Sequence, residues 1–274
     1  MLNIKNVVTR ALSGSVYVVI IISAILSGAE WYLALAAILA ILGLAEFFKI
    51  NTRNNKLSGV FPLDVAGALL IISVPYFFNS CLNKYSLIGL TAYFVLRFVV
   101  ELFLKNDKPV EELGKSMMAQ MYVSVPLATS VALYLLGGWE LVLSIFIFIW
   151  INDTGAFCVG SLFGKRRLFE RISPKKSWEG FWGGFGFCVV VAYLLSIYHI
   201  LSGGGMEVMQ FTLMAALVSV FATLGDLVES MMKRSLSIKD SGNLIPGHGG
   251  ILDRIDSFLI VSPAILCFYL LIAL

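Results

Sequence analysis

Nine apolar runs follow one another along the chain, at residues 11–28, 31–50, 60–78, 85–104, 117–137, 139–162, 181–201, 208–231 and 257–274. A helix rises about 1.5 Å per residue, so each run is long enough to cross a hydrocarbon core of about 30 Å. Lipid leaves backbone amides no water to bond, so only helices and closed barrels span it. Barrel strands would alternate apolar and polar residues over segments of about ten, and no such alternation is visible. The sequence therefore predicts an all-α fold, a polytopic integral membrane helical bundle of about nine transmembrane helices. It is read as a single membrane-embedded domain over residues 1–274, with the C-terminal half, about 139–274, carrying the active site. Charged residues make up 14% of the chain, against about 25% in a soluble domain. Cys81, Cys158, Cys188 and Cys267 sit in or beside apolar runs without metal-ligand spacing, and read as small hydrophobes. The first run reads as a retained span rather than a cleaved leader.

Basic residues set the expected orientation. With the N-terminus in the cytosol, the inside segments and their flanks hold 18 of the 20 Lys and Arg. The exceptions are Lys84, on the other side, and Arg97, inside the fourth run. The positive-inside rule favours this topology over its inverse. The net charge of +3 is local to that face, where anionic head groups and phosphates are met, and is no sign of nucleic-acid binding. Outside connections are short and nearly uncharged, whereas inside ones are longer and more polar, so the working side is expected to be cytosolic.

The densest chemistry lies between Gly225 and Asp256, where two apolar runs are joined by a charged stretch. Asp226 stands near the end of its run, where a charge needs a partner, since the cost is about 2.5–3.5 kcal/mol at a helix centre and less near the ends. Ser230 and Lys233 follow on the same helical face. Asp253 and Asp256 share a face if the last helix has begun by Asp253. Carboxylates from two helix ends suit a hard cation with oxygen ligands such as Mg2+, so Asp226, Asp253 and Asp256 are the expected metal ligands, with a second cation left open. Capping by Asp253 or Asp256 is the competing account. Lys233, Arg234, Lys239 and Arg254, interleaved with Asp226, Asp240, Asp253 and Asp256, form a mixed-sign set fit for a polyphosphate and its metal. His248 lies in Pro246–Gly250, a glycine-rich run whose amides, including those of Gly249 and Gly250, can approach a phosphate closely. Upstream, Asn152 and Asp153 are polar positions inside an apolar run, and Lys175, Lys176, Ser177 and Glu179 follow in the next inside segment. These are read as substrate-binding candidates together with Ser230. Gly160/Gly164 and Gly180/Gly184 have the spacing of close helix contacts. Gly160–Lys165 is one residue short of a phosphate-binding loop and lacks its Ser or Thr.

At these residues the sequence resembles the phosphatidate cytidylyltransferases, or CDP-diacylglycerol synthases. The resemblance is carried by Ser230, Lys233-Arg234, Lys239-Asp240, Gly242, Pro246-Gly247-His248-Gly249-Gly250 and Asp253-Arg254-Ile255-Asp256, with Asn152-Asp153 and Ser173–Ser177 upstream. It implies that CTP and membrane-held phosphatidate give CDP-diacylglycerol and pyrophosphate, with Mg2+. It further implies that Asp226, Asp253 and Asp256 hold the cation and that Lys233, Arg234, Lys239 and Arg254 hold phosphates. His248 would orient a phosphate or move a proton. The expected partners are CTP and phosphatidate, with a homodimer left open. The expected location is a multi-pass membrane protein, in the cell or inner membrane if the chain is bacterial. A transporter using Asp153 and Asp226 as midplane ligands, and another CTP-dependent lipid enzyme such as a polyprenol kinase, are the alternatives. The first is disfavoured by the absence of an internal repeat and by charges gathered at one face.

Overall fold

The computed structural model describes residues 4–51, 59–78, 82–238, 240–242 and 249–272. Nearly all of it is helix: α1 (Ile4–Leu26), α2 (Ala29–Ile50), α3 (Phe61–Phe77), α4 (Asn83–Phe103), α5 (Pro109–Ala119), a π-helical turn (Gln120–Ser124), α6 (Val125–Phe163), α7 (Trp178–Ile197), α8 (Val208–Ser235) and α9 (Leu252–Ile272). Between α6 and α7 stands one antiparallel hairpin, β1 (Arg167–Phe169) and β2 (Ser173–Ser177), which apolar periodicity gave no reason to expect. Six helical stretches among the described residues are long and apolar enough to cross a membrane, fewer than the nine runs of the sequence. Two runs form apolar helical segments of shorter length, Leu12–Leu26 and Phe61–Phe77. Two more join in one helical stretch, Pro109–Phe163, 55 residues long. That stretch is broken at Gly138, whose φ of 73° is a left-handed value open to glycine, and the break falls between the fifth and sixth apolar runs.

The chain divides into two compact units, Met1–Leu135 with Asp240–Asp253, and Leu136–Lys239 with Arg254–Leu274. Part of the charged stretch, Asp240–Asp253, thus belongs with the N-terminal helices.

The first unit contains a buried polar knot. Asp64 of α3 accepts hydrogen bonds from the Tyr93 hydroxyl at 2.9 Å and the Ser116 hydroxyl at 2.8 Å. Arg97 of α4 donates from Nε to Ser116 at 3.0 Å and from Nη1 to Glu101 at 2.7 Å. Its Nε lies 3.5 Å from Asp64. Gln120, at the start of the π-helical turn, donates to the Asp64 carbonyl at 2.7 Å and to the Tyr93 hydroxyl at 3.0 Å. Arg97 and Asp64 are fully buried, so each depends on the other's charge in a low dielectric. The lone basic residue inside the fourth run is therefore a cross-link between α3, α4 and α5. Arg97→Ala leaves Asp64 and Glu101 without their cation and should destabilise the protein by about 3–5 kcal/mol. Thermal unfolding in detergent measures this, and a melting temperature equal to wild type would show the knot to be dispensable.

The second unit packs α7 on α6 and α8, and α8 on α9. A Cβ on Gly160 would sit 3.4 Å from the Cα of Gly180, and one on Gly180 would sit 2.8 Å from the Ala156 carbonyl, so the helices touch backbone to backbone. Phe146 stacks on Phe258 with ring centroids 4.3 Å apart. The α8–α9 crossing is equally close: a Cβ on Gly225 would fall 2.8 Å from the Cα of Ser257, whose hydroxyl donates to the Ala222 carbonyl at 3.1 Å. Asp226 and Asp256 are the chain neighbours of that contact.

Candidate active site

A cavity of about 400 Å³ opens in the second unit, with Asn152, Asp153, Lys175, Lys176, Ser177 and Asp226 on its wall. Its apolar side is made by Ala156, Phe157, Leu168 and Phe181. The polar side is organised around Asp226. Lys176, carried by β2, places Nζ 2.6 Å from Asp226 Oδ2, and Ser230, one turn along α8, donates to Oδ1 at 3.3 Å. Asp153 lies within electrostatic reach of Asp226, Lys176 and Arg254. Asp256 lies within the repulsive fields of Glu229, Asp226 and Asp153, and its Oδ1 accepts the Ser257 amide at 2.6 Å. Lys233 is paired at 2.6 Å with Glu229, the side chains being 13% and 3% exposed. Four carboxylates and two lysines thus share one end of this unit. Asn152 is buried behind them, accepting from the Ser219 hydroxyl at 2.6 Å.

Other candidates have local duties. The Ser177 hydroxyl accepts the Gly180 amide at 3.1 Å and caps α7. Glu179 accepts the backbone amides of Lys165 and Arg166 at 3.1 and 3.2 Å, tying the hairpin's entry to α7. Arg234 is exposed and reaches the Ile172 and Ile238 carbonyls at 3.4 Å each. Lys175 and Arg254 are exposed.

Asp240–Asp253 of the charged stretch belong to the first unit. Asp253 Oδ2 accepts the Ser241 amide at 2.9 Å, the Ser241 hydroxyl at 3.0 Å and the Gly250 amide at 2.8 Å. Gly249 has φ +82°, and a Cβ there would lie 2.6 Å from the same oxygen. Asp240 is exposed. Lys239 and His248 lie outside the described residues. Among the described residues no group of three or more Asp, Glu, His or Cys side chains is arranged to hold a metal ion.

The sequence profile of the cytidylyltransferase family matches residues 8–272. The chain belongs to that family. It is similar to the phosphatidate cytidylyltransferase of Staphylococcus haemolyticus, with 32% identity over 93% of this chain and 95% of the relative. The enzymes of the same name from Staphylococcus epidermidis and Staphylococcus aureus are each 34% identical over the same shares. Lys175 and Lys176 line the same cavity as Phe157 and Phe181.

Two carboxylates that shape the region were not assigned a role from sequence. Glu229 is legible in retrospect as the residue four before Lys233, the spacing of a helical ion pair. Glu46 sits in the second apolar run, where an acidic residue is itself a functional signal. A third point concerns Ser177, which has two available roles, cap or substrate contact. Ser177→Ala should lower stability by about 1 kcal/mol, and Ser177→Asp should restore it, because Asp caps as well as Ser. Turnover measured on both variants separates the roles: a cap keeps activity in the Asp variant, whereas a phosphate contact loses it to charge repulsion.

Proposed function

We propose that this cytidylyltransferase-family chain transfers a cytidylyl group from CTP to phosphatidate, giving CDP-diacylglycerol and pyrophosphate. The observation that carries the proposal is the cavity in which Lys176 and Asp226 pair beside an apolar wall, in a chain matching relatives of that activity over 93% of its length. One substrate is a soluble polyanion and the other is held by its acyl chains in the bilayer. A largely apolar cavity that also carries Lys175 and Lys176, on a membrane-spanning scaffold, serves both.

In the proposed reaction a phosphate oxygen of phosphatidate attacks the α-phosphorus of CTP, forming the new P–O bond. The bond from that phosphorus to the bridging oxygen breaks, and pyrophosphate leaves with the electron pair. The chain's task is to hold two anions in line and offset their repulsion. Lys175 and Lys176 receive phosphate oxygens at the cavity wall, and Arg254 adds positive charge beside Asp153. Asn152 and Ser219 brace the floor. Lys233, held by Glu229, is available to the pyrophosphate end when that pair opens.

Mg2+ is part of the proposal. Asp226 and Asp256 are hard oxygen donors, and Asp256 lies in the fields of Asp226, Glu229 and Asp153, a charge that a divalent cation would offset. Asp226 and Asp256 are the residues we assign to it. Asp253 Oδ2 accepts from Ser241 and Gly250. A bound divalent ion supplies charge neutralisation for the triphosphate and the leaving pyrophosphate. The basic inside segments support a cytosolic face for the site, where CTP is found.

Two measurements test this reading. Purified protein in phosphatidate-containing vesicles, given CTP labelled in the cytidine, should yield labelled CDP-lipid and unlabelled pyrophosphate. Label appearing in no lipid, with γ-phosphate transferred instead, would identify a kinase. Asp226→Asn and Asp256→Asn should each lower turnover by about 100-fold or more while preserving size, the scale of lost charge stabilisation. Near-wild-type rates across a Mg2+ titration in both would remove the cation from the mechanism.

A further inference from the structure

Glu46 lies near the end of α2 in the sequence ALAAILAILGLAEFFKI and is 7% exposed. An acidic side chain buried in such a helix requires a reason. Its two oxygens are both spent on the start of α9. Oε1 accepts the Ile251 amide at 2.8 Å, and Oε2 accepts the Leu252 amide at 2.9 Å. The Ser241 hydroxyl also reaches Oε2, at 3.1 Å. First-turn amides have no partner within their own helix, and the positive end of the helix dipole favours a carboxylate there. The cap for α9 is therefore brought by a helix 206 positions earlier in the chain.

The neighbouring glycines are fitted to this carboxylate. A Cβ on Gly250 would strike Ser241 Oγ and Glu46 Oε2, and one on Gly242 would lie 2.8 Å from Glu46 Oε1. Asp253 completes the arrangement from the other side through Ser241 and Gly250. Two carboxylates thus grip residues 241 and 250–252, the two edges of the segment that carries Gly242 through Gly249. Arg254 and Asp256 follow within the next turn of α9.

We infer that Glu46 is a positioning residue for the cytidylyl transfer, fixing the start of α9 so that Arg254 and Asp256 on its first turns are held in register for the nucleotide. This rests on the function proposed above. Glu46→Gln keeps the volume but replaces one acceptor oxygen with an NH2 group that faces a helix amide. Glu46→Asp keeps the charge on a stem one methylene shorter.

The test uses the full-length protein in lipid vesicles, with two readouts. Hydrogen–deuterium exchange should quicken at the amides of residues 250–252 in Glu46→Gln, and less so in Glu46→Asp. At saturating CTP and phosphatidate, well below each variant's melting temperature, Glu46→Gln should lose about 10- to 100-fold in kcat per folded molecule, the scale of a misplacement near 1 Å. Glu46→Asp should recover part of that loss. Wild-type kcat in Glu46→Gln, with only a lowered melting temperature, would overturn the inference and leave a structural cap. Unchanged exchange at 250–252 would overturn it whatever the turnover. Wild-type protein that forms no CDP-lipid from CTP would sink the functional reading, and with it the catalytic part of this inference. The exchange data alone would then decide whether the grip on α9 exists.

Discussion

A carboxylate taken into hydrocarbon has to find donors or a cation there, and this requirement organises both halves of the chain. Asp64 finds Tyr93, Ser116 and Arg97. Glu46 finds the open amides of a helix start. Asp226 finds Lys176, and Glu229 finds Lys233. Each pairing fixes one helix or strand against another, so the polar residues do the specifying that apolar contacts between helices in lipid do weakly. The acidic residues near Asp256 depart from this pattern, because like charges are gathered there faster than lysines offset them. Asp226 and Asp256, in that group, are where the cation is proposed to bind.

The backbone geometry of the second unit serves the same end. Gly225 against Ser257 lets α8 and α9 approach until each delivers an aspartate from the adjoining position. Gly160 against Gly180 does the same for α6 and α7, bringing Asn152 and Asp153 to the cavity wall beside the hairpin that carries Lys175 and Lys176. Small residues at these contacts cost helix propensity, and close packing compensates for it.

Much of this was legible in the sequence, unevenly. Apolar run length gave the helices and even the break at Gly138, since crossing a bilayer imposes a length that local composition must obey. The short spans show the limit: Phe61–Phe77 is apolar but brief, and composition alone does not fix how far a helix extends. The charged stretch drew attention by its residue types, and Asp226 and Lys176 both line the cavity. What could not be read was who holds whom. Ser177 and Glu179 drew attention because they are polar and near lysines, but no local pattern shows that their oxygens also accept backbone amides of α7 and the hairpin's entry. Glu46 was passed over because its partners are 195 to 206 positions away, and no local pattern encodes such a pairing. The hairpin escaped notice because strand periodicity needs more than three to five residues to show.

The route of the chain through its two units sets an order of events during biogenesis. Residues 1–135 emerge first, but their packing is completed only by residues 240–253, after about a hundred residues of the other unit have been made. Until then Glu46 has neither the Ile251 nor the Leu252 amide to accept. The early helices must wait in the insertion machinery or the bilayer with that carboxylate held by other donors. A chain that folds N-terminal parts first is here obliged to finish its first unit nearly last, so a product cut short before residue 251 lacks the amides that Glu46 accepts.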